Sequence, residues 1–223
     1  MSGATAGEAA GSGPGALRLV LATANAHKAR EIEAIVAGTG EDWIELVPRP
    51  PDVPDVEETG DTFEENARLK AAALAAATGM PALADDSGIE VDALGGAPGV
   101  RSARYAGEGA SDADNVDLLL DELRRVGAGQ PDQRRARFRA VVIAVFPDGS
   151  EIVGEGAVEG TIVAAPRGAG GFGYDPVFAP DGLGGRTFAE VDPADKHRLS
   201  HRGRALRALL VGLRSQAAGV GGP

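Results

Sequence analysis

The sequence predicts an α/β protein with a mixed, twisted sheet flanked by helices, and three observations carry that prediction. Short apolar runs suited to buried strands alternate with helix-period segments through the first half of the chain. Farther on, residues 137–146 and 152–163 flank Pro147-Asp148-Gly149-Ser150, the pattern of an antiparallel hairpin. No internal repeat or composition break divides the 223 residues, which favours one compact domain.

The elements follow in order. Leu17, Leu19, Val20 and Leu21 form a short buried strand, and Thr23-Ala24-Asn25 turns the chain. Ile32, Ile35 and Val36 then fall at helical spacing from residue 26, with Gly38 as a stop. A second strand fits 43–47, and the Pro-rich, acidic stretch 48–60 cannot be a helix interior. Thr62 with Glu65 makes a capping box, and Phe63, Ala67, Ala71 and Leu74 mark the buried stripe of a helix ending near Gly79. Residues 81–89 read as a strand carrying Asp85-Asp86-Ser87-Gly88, and 95–107 as a long ordered loop. Ser111 caps a helix running to about residue 126, and Leu206, Leu209, Leu210 and Leu213 form the buried face of a last helix starting near Ser200. Residues 1–15 are expected to be a disordered extension, 16–214 the single folded domain and 215–223 a flexible tail.

Composition narrows the functions. A formal charge of -11 disfavours nucleic acid as a partner but allows a small anion in a locally basic cleft. The absence of cysteine excludes disulfides, thiolate metal sites and cysteine nucleophiles, and agrees with a cytoplasmic setting. With only three histidines a histidine-rich zinc site is not expected, and a metal is expected to have oxygen ligands. No apolar run is long enough to span a membrane.

Several segments have the chemistry of an anion site, each with a plainer alternative. Thr23 to Lys28 sits where a strand gives way to a helix, whose N-terminal N–H groups attract anions; the same residues make a simple Asn turn. Neighbours on a strand point to opposite faces, so Asp85 and Asp86 cannot both face one cleft, and one should reach a ligand while the other supports structure. Glu57 and Glu58 are either solvated or, with Asp86, the one or two carboxylates that magnesium takes beside phosphate oxygens. Gly170 to Asp175 lets backbone approach a ligand closely beside two aromatic rings, or is a tight turn. Lys196 and Ser200-His201-Arg202-Gly203 bring cations to a helix entry, for phosphate, for a carbonyl or for solvent.

In this order and wording, together with Phe63-Glu64-Glu65-Asn66-Ala67 and Ser102-Ala103-Arg104-Tyr105, the segments resemble the inosine triphosphate pyrophosphatase family over residues 17–213. The resemblance implies an elongated fold of two lobes with the nucleotide cleft between them, a homodimer, and hydrolysis of dITP, ITP and XTP to monophosphate and pyrophosphate. By it, Thr23, Ala24, Asn25, Ala26, His27 and Lys28 would hold the phosphates. Asp86 would bind Mg2+ and act as catalytic base or orient the water, Glu58 would complete the metal site, and Ser87 would contact substrate. Phe172, Gly173, Tyr174 and Asp175 would pack around sugar and base, Lys196 would neutralise phosphate charge, and His201 with Arg202 would recognise the purine carbonyl. Lys70 would face the phosphates, and Arg104 and Tyr105 would pack a loop. Two rival readings are a related pyrophosphatase of pyrimidine or methylated nucleotides and a nucleotide sensor that does not hydrolyse.

Overall fold

The computed structural model describes residues 16–23 and 25–220, the side chains of 217–220 excepted. The extension expected at 1–15, the phosphate-loop role of Ala24 and the end of the expected tail lie outside the described residues.

Six strands make one sheet: β1 (Leu17–Leu21), β2 (Ile44–Val47), β3 (Ala82–Val91), β4 (Arg135–Val145), β5 (Glu151–Ile162) and β6 (Phe178–Pro180), in the spatial order β2-β1-β3-β4-β5-β6. β1 runs parallel to β2 and β3, while β3 to β6 pair antiparallel, so the sheet is mixed as the alternation and the hairpin predict. Among the described residues five α-helices surround it: α1 (Ala26–Gly38), α2 (Phe63–Thr78), α3 (Asp112–Arg125), α4 (Pro193–Leu199) and α5 (His201–Val220). No described helix is long and apolar enough to cross a membrane.

Three apolar clusters explain where these elements sit. On one face of the sheet, Ile32 and Ile35 of α1 and Leu206 and Leu209 of α5 cover Leu19, Leu21, Leu83 and Val142. On the other, Ala67, Ala71 and Leu74 of α2 cover Val20, Ala84, Val141 and Ile143. The far ends of the long strands supply a third cluster, in which Ile89, Val91, Phe138 and Ile162 pack with Leu119 and Leu123 of α3 and with Phe178 and Phe188. β3 therefore passes from one packed region into another, and Asp85, Asp86 and Ser87 lie at the crossing.

The caps follow the sequence closely. Thr62 and Glu65 form the predicted capping box on α2, and Gly79 closes that helix at φ 66°, a left-handed conformation suited to glycine. Ser111 caps α3 as expected. Helix α5 lies directly on β5: a Cβ on Gly154 would come within 2.6 Å of the Leu209 nitrogen, and one on Gly156 equally close to that of Ala205. Those two glycines let the start of α5 press against the sheet beside Ser87.

Other features depart from expectation. β3 continues to Val91 because β4 pairs with it along its whole length. The expected loop at 95–107 holds a 3-10 turn, Gly99–Arg104. α4 and β6 were not expected: α4 has seven residues behind an Asp192 cap and Pro193, and β6 is three residues added to the end of β5. Helix α5 runs to Val220, past the boundary expected at 214.

Candidate active site

Asp85 and Asp86 occupy opposite faces of β3, as alternation requires. Asp86 turns toward α2, where Asn66 Nδ2 donates to its Oδ2 at 3.3 Å and Lys70 Nζ stands 3.4 Å from its Oδ1. Asp85 turns toward α1 and α5, 3.1 Å from Arg202 Nε and 3.5 Å from Lys28 Nζ. Their electrostatics differ accordingly. Burial raises the pKa of the Asp86 carboxyl, with Lys70 and Lys28 pulling the other way. Burial pushes Asp85 up as well, but Lys28, Arg202 and Lys70 together overcome it and hold that carboxyl far below the usual range.

The acidic loop brings Glu58 to the same place. Lys70 Nζ donates to Glu58 Oε1 at 2.7 Å, so one ammonium bridges Glu58 and Asp86. Burial raises the Glu58 pKa, but Lys70, Lys28 and Arg104 together outweigh it and the net shift is downward, while burial of Lys70 is offset by Asp86, Asp85 and Glu58 so that its pKa rises. A bridge by one cation shows that the two carboxylates converge. Among the described residues no group of three or more His, Cys, Asp or Glu gathers as an all-protein metal site. Two converging carboxylates beside an opening for phosphate oxygens suit magnesium, which keeps several of its positions for water and substrate.

The turn before α1 takes the form of an Asn turn, the plainer of its two readings. Asn25 Oδ1 accepts from the His27 and Lys28 N–H groups at 2.9 and 3.1 Å, capping the helix, so those amides are engaged by the protein itself. Thr23 Oγ1 accepts from the Asn25 N–H at 3.2 Å. What the turn offers an anion is chiefly the half-buried Lys28. Ala26 and His27 are exposed, and the His27 ring lies 5.6 Å from that of Phe172.

Arg202 is 2% exposed and held on three sides: Nε donates to Asp85, Nη1 to Glu31, and Nη2 to Ser87 Oγ at 2.8 Å. Burial lowers its pKa, but Asp85 and Glu31 more than compensate, so it stays charged with N–H donors of its fork to spare. His201 lies flat on Phe138, ring centroids 4.6 Å apart and planes within 7°, and its buried Nδ1 has no hydrogen-bond partner among the described residues. Burial, reinforced by Arg202 and Lys196, keeps its pKa well below the ordinary value, and the imidazole is neutral.

Lys196 lines the same cavity from the side of the aromatic loop. Its ammonium is 2.7 Å from Asp175 Oδ2, 3.6 Å from Glu31 Oε1 and 4.8 Å from the Phe172 ring centroid, beside the aromatic loop and away from the Glu58–Asp86 pair. Two carboxylates thus hold the ammonium in place. Asp175 also accepts the Phe172 N–H at 2.8 Å, and Gly173 N–H donates to Asp112 Oδ2 at 2.6 Å, pinning the aromatic loop to the start of α3. Tyr174 is buried, its hydroxyl donating to Ser102 O at 2.8 Å, so it braces the loop from behind.

Most of the predicted residues therefore meet. Asn25, Lys28, Glu58, Asp86 and Ser87 line one cavity of about 120 Å³ together with Phe172 to Asp175, Lys196, His201 and Arg202. Thr23 lies on an adjoining cavity of about 260 Å³ that shares Asn25, Lys28 and Glu58 as walls; Ala26 and His27 line neither. A larger groove of about 710 Å³ between α1 and α5 has a single acid, Glu41, already paired with Arg214, and none of these residues. Sequence reasoning missed Asn66, Glu31, Asp112 and the tie between Arg104 and Glu58, 3.3 Å apart. Asn66 and Lys70 sit four residues apart on α2, a spacing that places them on one face and was available to be read.

The Ham1 family profile matches residues 19–211. A dITP/XTP pyrophosphatase of Symbiobacterium thermophilum is 51% identical over 193 residues, covering 86% of this chain and 93% of that protein. One from Thermus thermophilus is 51% identical over 195 residues, covering 87% and 90%. Among solved structures, a HAM1 protein from Coxiella burnetii superposes with a TM-score of 0.80 at 41% identity, over 89% of this chain and 99% of that one. A protein from Mycobacterium abscessus described as a nucleoside-triphosphatase and dITP/XTP pyrophosphatase gives 0.69 at 43% identity, over 88% and 99%. With its fold and nearly its whole described length matched in this way, the chain belongs to the Ham1 family.

Proposed function

We propose that the protein hydrolyses non-standard purine nucleoside triphosphates, dITP, ITP and XTP, to the monophosphate and pyrophosphate, with Mg2+ as cofactor. The observation that carries this reading is a single cavity lined by the converging carboxylates Glu58 and Asp86, by Lys28 and by Phe172, His201 and Arg202, with Lys70 bridging the two carboxylates. The names of the relatives near 50% identity support the same substrates.

Asp86 orients or deprotonates the attacking water. Magnesium held by Asp86 and Glu58 would polarise the phosphoryl group and neutralise charge on the leaving pyrophosphate. Lys28 and Lys70 balance the phosphates, and Asn66 fixes the rotamer of Asp86 by its hydrogen bond. Phe172 offers its ring to the base. The donors left on Arg202 cannot accept a hydrogen bond, so they suit a 6-carbonyl and are left unpaired against a 6-amine, a difference of about 1 to 3 kcal/mol when buried. Ser87 and Glu31 hold Arg202 in that orientation.

A panel of dITP, XTP, ITP, dATP, dGTP and pyrimidine triphosphates, with and without Mg2+, tests the reading through pyrophosphate release. Pyrophosphate should appear from the first three and depend on the metal; preferential cleavage of pyrimidine triphosphates, or tight binding without turnover, refutes it. The assembly and setting carried over from the resemblance are a homodimer in the cytoplasm, and sedimentation of the purified protein checks the first.

A further inference from the structure

The cavity adjoining the site holds a cation that the reaction scheme above does not use. Arg49, in the loop after β2, lines it together with Thr23, Lys28 and Lys70. The Arg49 side chain is 18% exposed; Nη1 donates to Asp55, whose own side chain is 75% exposed, and Nη2 donates to Val53 O at 2.5 Å. The loop thus holds the guanidinium in place while N–H donors of its planar fork remain unused among the described residues.

Its partner sets it apart from its neighbours. Lys28 is paired with the buried Asp85, and Lys70 with Glu58 and the buried Asp86. The carboxylate on Arg49 is solvated, so an incoming phosphate exchanges with Asp55 at little cost. Lys28 and Glu58 stand on the boundary between the two cavities. In the proposed reaction, a nucleotide with its base at Phe172 and its α-phosphoryl at Asp86 would have its outer phosphoryls at that boundary, on the side of the cavity that Arg49 lines.

We infer that Arg49 and the loop carrying Asp55 form a pyrophosphate subsite, in which the guanidinium binds the terminal phosphoryl of the substrate and then the pyrophosphate product. This rests on the pyrophosphatase reading and deepens it: Arg49 selects triphosphate over diphosphate. Charge-assisted bidentate contacts of this kind are the strong ones for phosphate.

The test uses the full chain. The wild-type arm measures pyrophosphate from dITP with Mg2+, and its failure would remove the pyrophosphatase reading alone. Calorimetry with inorganic pyrophosphate and with dIMP, on wild type, Arg49→Ala and Asp55→Asn, then tests the subsite whether or not turnover is seen. Arg49→Ala should weaken pyrophosphate binding and raise the KM for dITP by about tenfold or more, with dIMP binding within about twofold of wild type. Asp55→Asn, which removes the competing carboxylate, should tighten pyrophosphate binding. Unchanged pyrophosphate binding in Arg49→Ala, or an equal loss for dIMP, overturns the inference.

Discussion

Asp85→Asn and Asp86→Asn replace adjacent carboxylates with amides of the same shape, and the structure assigns them opposite consequences. The Asp85 side chain has no solvent exposure and is the shared counter-ion of Arg202 at 3.1 Å and Lys28 at 3.5 Å. Removing one member of a buried ion pair costs about 3 to 5 kcal/mol, and since an amide oxygen still accepts from Arg202 Nε the lower end, about 3, applies. In a domain of this size each kcal/mol moves Tm by roughly 2 to 4 °C, so Asp85→Asn should melt about 6 to 12 °C below wild type. Asp86 differs because Lys70 keeps Glu58, at 2.7 Å, when the second carboxylate goes. Asp86→Asn should therefore melt within about 3 °C of wild type while turnover falls about 10² to 10⁴-fold, the range for loss of a general base. Calorimetric melting of the three proteins in chelator, beside pyrophosphate release in Mg2+, reads both effects. The reasoning is refuted if Asp85→Asn melts with wild type, or if Asp86→Asn loses as much stability as its neighbour.

Two further outcomes follow from the site. The His201 imidazole is held well below 6.5 by burial and by Arg202 and Lys196, so the unfolded chain binds a proton that the native state refuses; its contribution is complete above that pH and lost as pH falls below it. Urea titrations should show wild type losing up to about 1.4 kcal/mol per pH unit just below that point relative to His201→Gln, and equal slopes would contradict the burial argument. Glu58→Gln keeps the shape of the metal loop but removes one of two converging carboxylates, so the Mg2+ concentration for half-maximal activity should rise about tenfold or more. An unchanged magnesium titration would exclude Glu58 as a ligand.

The sequence carries the fold where local signals and packing agree. The Thr62–Glu65 box, the Ser111 cap and the hairpin around Asp148-Gly149 could be read because each is settled within a few residues. β6 and α4 were illegible because three and seven residues hold too little periodicity, and only pairing with β5 and the Asp192 cap define them. At the site, alternation alone separates Asp85 from Asp86. Nothing local reveals that Glu31 pairs with Arg202, 171 residues away, or that Lys196 is held by Asp175 and Glu31. Charge pairing across elements is a property of packing, and a motif shows which residues carry charge without showing which partner uses it. The same limit hid Arg49, whose loop reads only as proline-rich and acidic.

The central claim is that water cleaves between the first and second phosphoryl groups of a non-standard purine nucleotide at Asp86. Incubation of the purified protein with dITP and Mg2+, with phosphorus NMR of the products, tests it most directly. The expected spectrum contains dIMP and inorganic pyrophosphate in equal amounts for wild type and neither above background for Asp86→Asn. Orthophosphate with dIDP, or undiminished turnover in the variant, would contradict it.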